Sequence, residues 1–154
     1  MNFEFVIVFL VTFSTMEFAA WWLHKYAMHG FLWFLHEDHH VPHKGRSYQL
    51  NDAFAVFFAV PSFFSILFGS LYSMNLLSAF GYGIMAYGIA YFFVHEIIIH
   101  RRFKFFNVRD NWYVNAVRRA HRDHHQIATK EGSSNFGMLV VSFRYFSSTK
   151  GLAK

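Results

Sequence analysis

AFAVFFAVPSFFSILFGSLYSMNLLSAFGYGIMAYGIAYFFVH, residues 53 to 95, runs for 43 positions without a Lys, Arg, Asp or Glu. A helix needs about 20 apolar residues to cross roughly 30 Å of hydrocarbon, so the stretch holds two crossings and a turn. Small and polar residues from Gly69 to Asn75 gather between Phe-rich flanks and mark that turn, leaving spans over about 53 to 69 and 76 to 98. A third span is expected over Phe3 to Leu23. It is interrupted only by Glu4 and Glu17 and closes on Trp21-Trp22, an aromatic pair suited to headgroup depth. A cleaved signal peptide is the alternative for this segment, but no basic region precedes it and no small-residue cleavage site follows.

Composition supports the same reading. Of 154 residues, 55% are hydrophobic, 22% aromatic and only 15% charged, against roughly 25% charged in soluble domains. So small a fold cannot keep 22 Phe side chains from water; lipid must cover the outside. Cysteine is absent, which excludes disulfides and Cys-based zinc or iron–sulfur sites. The expectation is an all-α integral membrane bundle of three to four transmembrane helices with a histidine-rich cap, one domain over residues 1 to 154.

Orientation follows from the basic residues. All 14 Lys and Arg lie between positions 25 and 46 or at 101 and beyond. The positive-inside rule makes both segments cytoplasmic, in what would be a bacterial inner membrane, with the 69-to-75 turn outside and every histidine block at the cytoplasmic edge. A basic collar beside anionic headgroups accounts for the net charge of +5 without nucleic acid.

Histidine is the anomaly. The blocks are HKYAMHG (His24, His29), HEDHH (His36, His39, His40), HEIIIH (His95, His100) and HRDHH (His121, His124, His125), so HxxxxH then HxxHH occurs twice. An HxxHH triplet on an α-helix falls within an arc of roughly 100°, which suits one shared centre. In HxxxxH the rings stand roughly 140° apart on a straight helix. Either each pair serves two ions or the helix bends there, and Gly30 after His29 supplies a break. Val114, Val117, His121, His124 and His125 form one helical stripe, with Asp123 opposite.

A lone membrane-edge histidine is usually a packing residue. Ten in regular blocks are not, because unpaired polar groups at membrane depth are costly; these ten are the candidate metal ligands. His43 follows Pro42, which ends the triplet's helix, and reads as a bystander. Ten imidazoles exceed the four ligands of one tetrahedral zinc and suit two ions. Imidazole alone does not choose among Zn, Cu, Fe and Ni; a hydrocarbon setting favours iron and O₂ over hydrolysis. Glu96 could orient His100, and Glu17 is an intramembrane carboxylate that either serves function or makes an interhelical hydrogen bond. No catalytic residue beyond the ligands is assigned. A metal transporter would place ionisable residues in mid-span rather than at one edge.

The blocks resemble those of the membrane di-iron enzymes of the fatty acid hydroxylase and sterol desaturase superfamily. More closely, HKYAMHG at 24 to 30, HEDHHVPHKG at 36 to 45, NDAFAVFFA at 51 to 59, YFFVHEIIIHRRF at 91 to 103, AHRDHH at 120 to 125 and KEGSSNFG at 130 to 137 resemble the bacterial β-carotene 3-hydroxylases. That family commonly has a basic residue near 43, Asp at 96 and a less polar stretch at 133 to 135. The resemblance implies hydroxylation at carbon 3 of a carotenoid β-ring, β-carotene passing through cryptoxanthin to zeaxanthin. It also implies two iron ions, O₂ as co-substrate and electrons from ferredoxin or another reductase. A related lipid or sterol hydroxylase or desaturase would share the metal pattern.

Overall fold

The computed structural model describes residues 2–41, 48–103 and 108–147, and every described element is helical. Among the described residues three helices are long and apolar enough to cross a membrane, as the apolar runs of the sequence predict. The first, α1 (Phe3–Trp22), does not stop at the Trp pair. It continues as a π-helical stretch over Leu23–Phe31 and breaks at Gly30, whose φ of −113° and ψ of −123° lie outside helical values. After a turn comes α2 (Trp33–His40), then a short 3₁₀ turn (Leu50–Asp52). The hairpin of α3 (Ala53–Leu71) and α4 (Asn75–Phe92) follows, and α4 also runs on as a π-helical stretch, Phe93–Ile99. An amphipathic α5 (Trp112–His125) and a single turn, α6 (Arg144–Ser147), are the last described elements.

Lipid tails are as apolar as Leu, so spans associate through close packing and hydrogen bonds rather than hydrophobic exclusion. Small residues supply the close approach. A Cβ on Gly81 would lie 2.7 Å from Ile66 Cγ1, and one on Gly83 would lie 2.7 Å from Thr12 Cβ, so α4 is fitted against α3 on one side and α1 on the other. Ser62 Oγ donates to the Gly81 carbonyl at 2.8 Å across the hairpin. Outward positions such as Leu10, Val11, Phe18, Val56, Phe57 and Phe63 are exposed, as lipid contact requires.

Glu17 is an interhelical anchor. Its Oε2 accepts from the Tyr87 hydroxyl at 2.8 Å, tying α1 to α4. Met16, Ala20, Ile84 and Tyr87 pack around that bond. At the histidine end, α5 is capped by Asn111, whose side chain accepts from the Val114 amide at 2.9 Å. Its stripe of Val114 and Val117 packs on Val94, Ile98 and Met138. Asp123, on the other face, accepts from the Tyr145 hydroxyl of α6 at 2.9 Å.

Candidate metal centre

His24 and His29 sit inside the first π-helical stretch, and His95 sits in the second, which His100 directly follows; this resolves the sequence alternative in favour of a helix that changes shape. A π-turn closes with a bond between residues five apart, which stacks the first histidine of the motif over the last. The His100 N–H donates to the His95 carbonyl at 2.9 Å. The rings of His95 and His100 lie 4.5 Å apart, and those of His24 and His29 5.3 Å apart.

Nitrogens of His24, His29, His36, His40 and His124 converge within 4.8 Å of one another, and those of His39, His95, His100 and His121 do likewise. Each HxxxxH pair therefore serves one cluster, which corrects the expectation of a pair divided between two ions. The triplets behave in the opposite way to the expected shared centre. His36 and His40 face the first cluster and His39 the second; His124 faces the first and His121 the second. Adjacent positions on an α-helix diverge by about 100°, enough to deliver His39 and His40 to two centres lying side by side.

His125 belongs to neither set. Its ring stacks on His40 at 4.4 Å and 14° and lies 4.4 Å from His121 and 4.7 Å from His39, between the two clusters. His43 lies outside the described residues.

The outer nitrogens explain how the rings are aimed. His24, His29, His40 and His124 donate from Nδ1 to the carbonyls of Phe136, Lys130, Ile127 and Ser134 at 3.0, 3.0, 3.0 and 2.8 Å. One non-helical strap, residues 127–136, thus orients four of the five rings of the first cluster. The fifth, His36, pairs with Asn51 Oδ1 at 2.7 Å, and His39 pairs with Gln49 Oε1 at 2.9 Å. Asp38 holds this turn by accepting from the Leu50 amide at 2.6 Å. His95 Nδ1 lies 2.6 Å from Glu96 Oε1. Glu96 Oε2 accepts from Arg102 at 2.8 Å, and Arg102 reaches Asp52 at 2.9 and 3.1 Å. Glu96 orients a histidine as the sequence suggested, but its partner is His95 rather than His100. Such outer partners fix tautomer and ring orientation in metal sites.

The tautomers give a direct test of whether the set fits a metal. A carbonyl can only accept, so the Nδ1 atoms bonded to carbonyls carry the protons and Nε2 is left as a lone pair. The Nε2 atoms of His29 and His124 are 3.2 Å apart. Two lone pairs at that distance repel; they are not a hydrogen bond, and a shared cation between them removes the conflict. The Nε2 atoms of His39, His40 and His125 are buried with no hydrogen-bond partner among the described residues, again what a ligand set leaves for an ion.

Burial keeps the rings neutral, as ligation demands. It lowers His36 to about 2, with the neighbouring imidazoles adding and the Asn51 bond opposing. Burial likewise takes His40 and His100 to about 4 and His124 to about 3.

Phe136 packs 5.1 to 5.4 Å from the rings of His24, His29 and His124, and Trp33 covers His29 and His40 at 5.1 and 5.3 Å. A cavity of about 520 Å³ opens beside the second cluster, lined by His100, His121 and His125 together with Arg101, Arg118, Arg122 and Asp110.

The chain matches the family model described as fatty acid hydroxylase over residues 9–148. It is 41% identical over 135 residues to a protein named beta-carotene hydroxylase from Pantoea ananas, covering 88% of this chain and 76% of that one. A protein of the same name from Pseudescherichia vulneris is 36% identical over the same shares. The chloroplastic beta-carotene hydroxylase 2 of Capsicum annuum is 40% identical over 113 residues, 71% of this chain and 36% of that longer protein. No solved structure matches.

Proposed function

The chain belongs to the fatty acid hydroxylase family, and on that premise we propose that it is a carotenoid β-ring 3-hydroxylase taking β-carotene through β-cryptoxanthin to zeaxanthin. The observation that carries the proposal is the pair of buried imidazole clusters at one end of an apolar three-span bundle. The first ion would be held by His24, His29, His36, His40 and His124, and the second by His39, His95, His100 and His121; His125, between the two clusters, would supply the tenth imidazole. The whole chain acts as one domain.

The ring methylene has no acidic proton, so no side-chain acid or base can break its C–H bond. Bound iron supplies the redox chemistry that does. In the balanced reaction one C–H, one O₂, two electrons and two protons give one C–OH and one water. The chain's own residues set the conditions: the strap carbonyls, Asn51, Gln49 and Glu96 hold the rings neutral and aimed, while Trp33 and Phe136 keep water from the first cluster.

A polyene about as long as the bilayer is thick, roughly 30 Å, can lie along the spans and bring its terminal ring to the centre. Electrons come from ferredoxin or another reductase. The Arg-lined cavity beside His100 and His121 is a water-side approach whose charge suits an acidic donor. The basic segments support a bacterial inner-membrane location with this face toward the cytoplasm.

Expression in a β-carotene-producing host with chromatography of the pigments tests the reading. Zeaxanthin and cryptoxanthin are expected. Unchanged β-carotene beside a newly hydroxylated lipid or sterol would reassign the substrate.

A further inference from the structure

Residues 137–143, Gly-Met-Leu-Val-Val-Ser-Phe, carry no charge and are neither helix nor strand over most of their length. We propose that they form a re-entrant segment that dips into the bilayer from the histidine side and turns back without crossing, held there by the Glu17 carboxylate.

Depth is the first argument. Glu17 lies five residues before Trp22, hence about 8 Å inside the aromatic pair along α1. Its Oε1 accepts from the backbone amides of Met138, Leu139 and Val140 at 2.9, 3.0 and 3.0 Å. Backbone bonded to a side chain inside a span sits at that side chain's depth.

Hydrogen-bond accounting is the second. Irregular backbone cannot face hydrocarbon unless its polar groups are satisfied within the protein. Three consecutive amides end on one carboxylate, and the Tyr113 hydroxyl donates to the Leu139 carbonyl at 2.9 Å. The same arrangement gives the carboxylate a reason to be inside the bilayer, where an acidic group is otherwise costly.

The third argument is which side chains point where. Met138 is 2% exposed in the core under α5, and Leu139 packs on the Met16, Ala20, Ile84 and Tyr87 cluster. Val140 and Phe143 are 70% and 90% exposed. In water these would be two bare apolar groups beside an apolar span; Val140, at Glu17 depth, meets acyl chains, and Phe143 follows it on the way out toward the interface. Phe143 lies 6.3 Å from Phe146, which lies 5.4 Å from the exposed Trp112. This gives the segment's exit an aromatic rim of interfacial type. The strap that aims four imidazoles runs directly into the segment, so bilayer anchoring fixes the height of the first cluster above the spans. None of this depends on the substrate.

The natural absence of Cys makes the test direct. Val140→Cys, Phe143→Cys and, as control, the exposed Thr129→Cys are labelled with a small environment-sensitive fluorophore in the iron-loaded protein and reconstituted in phosphatidylcholine vesicles. Probes at 140 and 143 are expected to be quenched several-fold more by acyl-chain nitroxide lipid than by aqueous iodide, with the reverse at 129. Iodide-dominated quenching at 140 and 143 would overturn the proposal. Adding Glu17→Ala, with native helix content confirmed by circular dichroism, should bring the 143 probe into reach of iodide, while Glu17→Gln, which keeps one acceptor oxygen, should hold it in lipid. A 143 probe that stays lipid-quenched in folded Glu17→Ala would refute the anchoring.

Discussion

The Nε2 atoms of His29 and His124 face each other across 3.2 Å while both Nδ1 atoms donate to carbonyls of the same strap. A cation between them turns a repulsion into two bonds, so each should be needed for the first ion and neither for the second. His124→Ala is expected to lower iron from two ions per chain to one and to abolish hydroxylation, and His121→Ala to remove the other ion. His43→Ala should keep both. Iron analysis beside pigment yield decides it; a His124→Ala protein holding two irons would break the division into clusters.

Asn51→Ala removes the acceptor that fixes His36, and Glu96→Gln replaces the acceptor beside His95 with a group that can donate instead. Loss of such an outer partner costs about 10- to 100-fold in metal affinity or activity. Iron titration of the detergent-purified variants should show weaker binding with the helical fold intact. An unchanged affinity in both would mean the rings are aimed by packing alone.

Acid should release the metal. His40 and His100 are lowered to about 4 and His124 to about 3, chiefly by burial, from an ordinary value near 6.5. The unfolded chain therefore takes up protons at these sites before the folded chain does, and stability falls as pH drops. Retention of iron and the melting temperature of the metal-free protein should both be full above about pH 6.5 and decline progressively toward pH 4, followed by iron analysis and thermal melts. A loss that instead grows above pH 7 would contradict neutral, buried imidazoles.

The spans were legible because a charge-free run of 43 residues has few other readings, and the histidines because their spacing repeats. What escaped was the assignment of rings to centres. Reading His24 and His29, or His95 and His100, at α-helical pitch separates rings that a π-turn stacks, and nothing in the periodicity announces that turn. Gln49, Asn51 and Arg102 act by side-chain contacts across turns of irregular backbone, which no helical periodicity foretells. The strap acts through its carbonyls, which every sequence possesses. Glu17 was readable as a candidate for an interhelical hydrogen bond, but neither Tyr87 nor the three amides it accepts from were.

Glycine packing within the membrane gives a stability prediction. A Cβ at Gly81 would meet Ile66 and the Ser62 carbonyl at 2.7 and 2.9 Å, whereas one at Gly88 meets nothing within 4 Å among the described residues. Gly81→Ala should destabilise the bundle by about 1–3 kcal/mol, the usual cost of overpacking, and Gly88→Ala should be neutral. Unfolding in mixed detergent micelles compares them; equal stability would argue against close α3–α4 contact.

Orientation can be read chemically. Tyr72→Cys, in the exposed turn between α3 and α4, should react with an impermeant thiol reagent in intact cells, and Thr129→Cys only after the membrane is opened. The reverse pattern would invert the topology.

The π-helical stretches make chain length itself a specification. Removing one residue from 25–28 would leave an H-x-x-x-H pair that still faces one way on an ordinary α-helix, so the local ligand geometry would survive. Everything upstream, however, would turn by about 100° and shift by about 1.5 Å. Glu17 would leave the Tyr87 hydroxyl and the Met138–Val140 amides, and Thr12 would leave the hollow at Gly83. At these two places the chain tolerates an exchange of side chains far better than a change of one in the residue count, because the extra residue is what sets the spans in phase with the histidines above them.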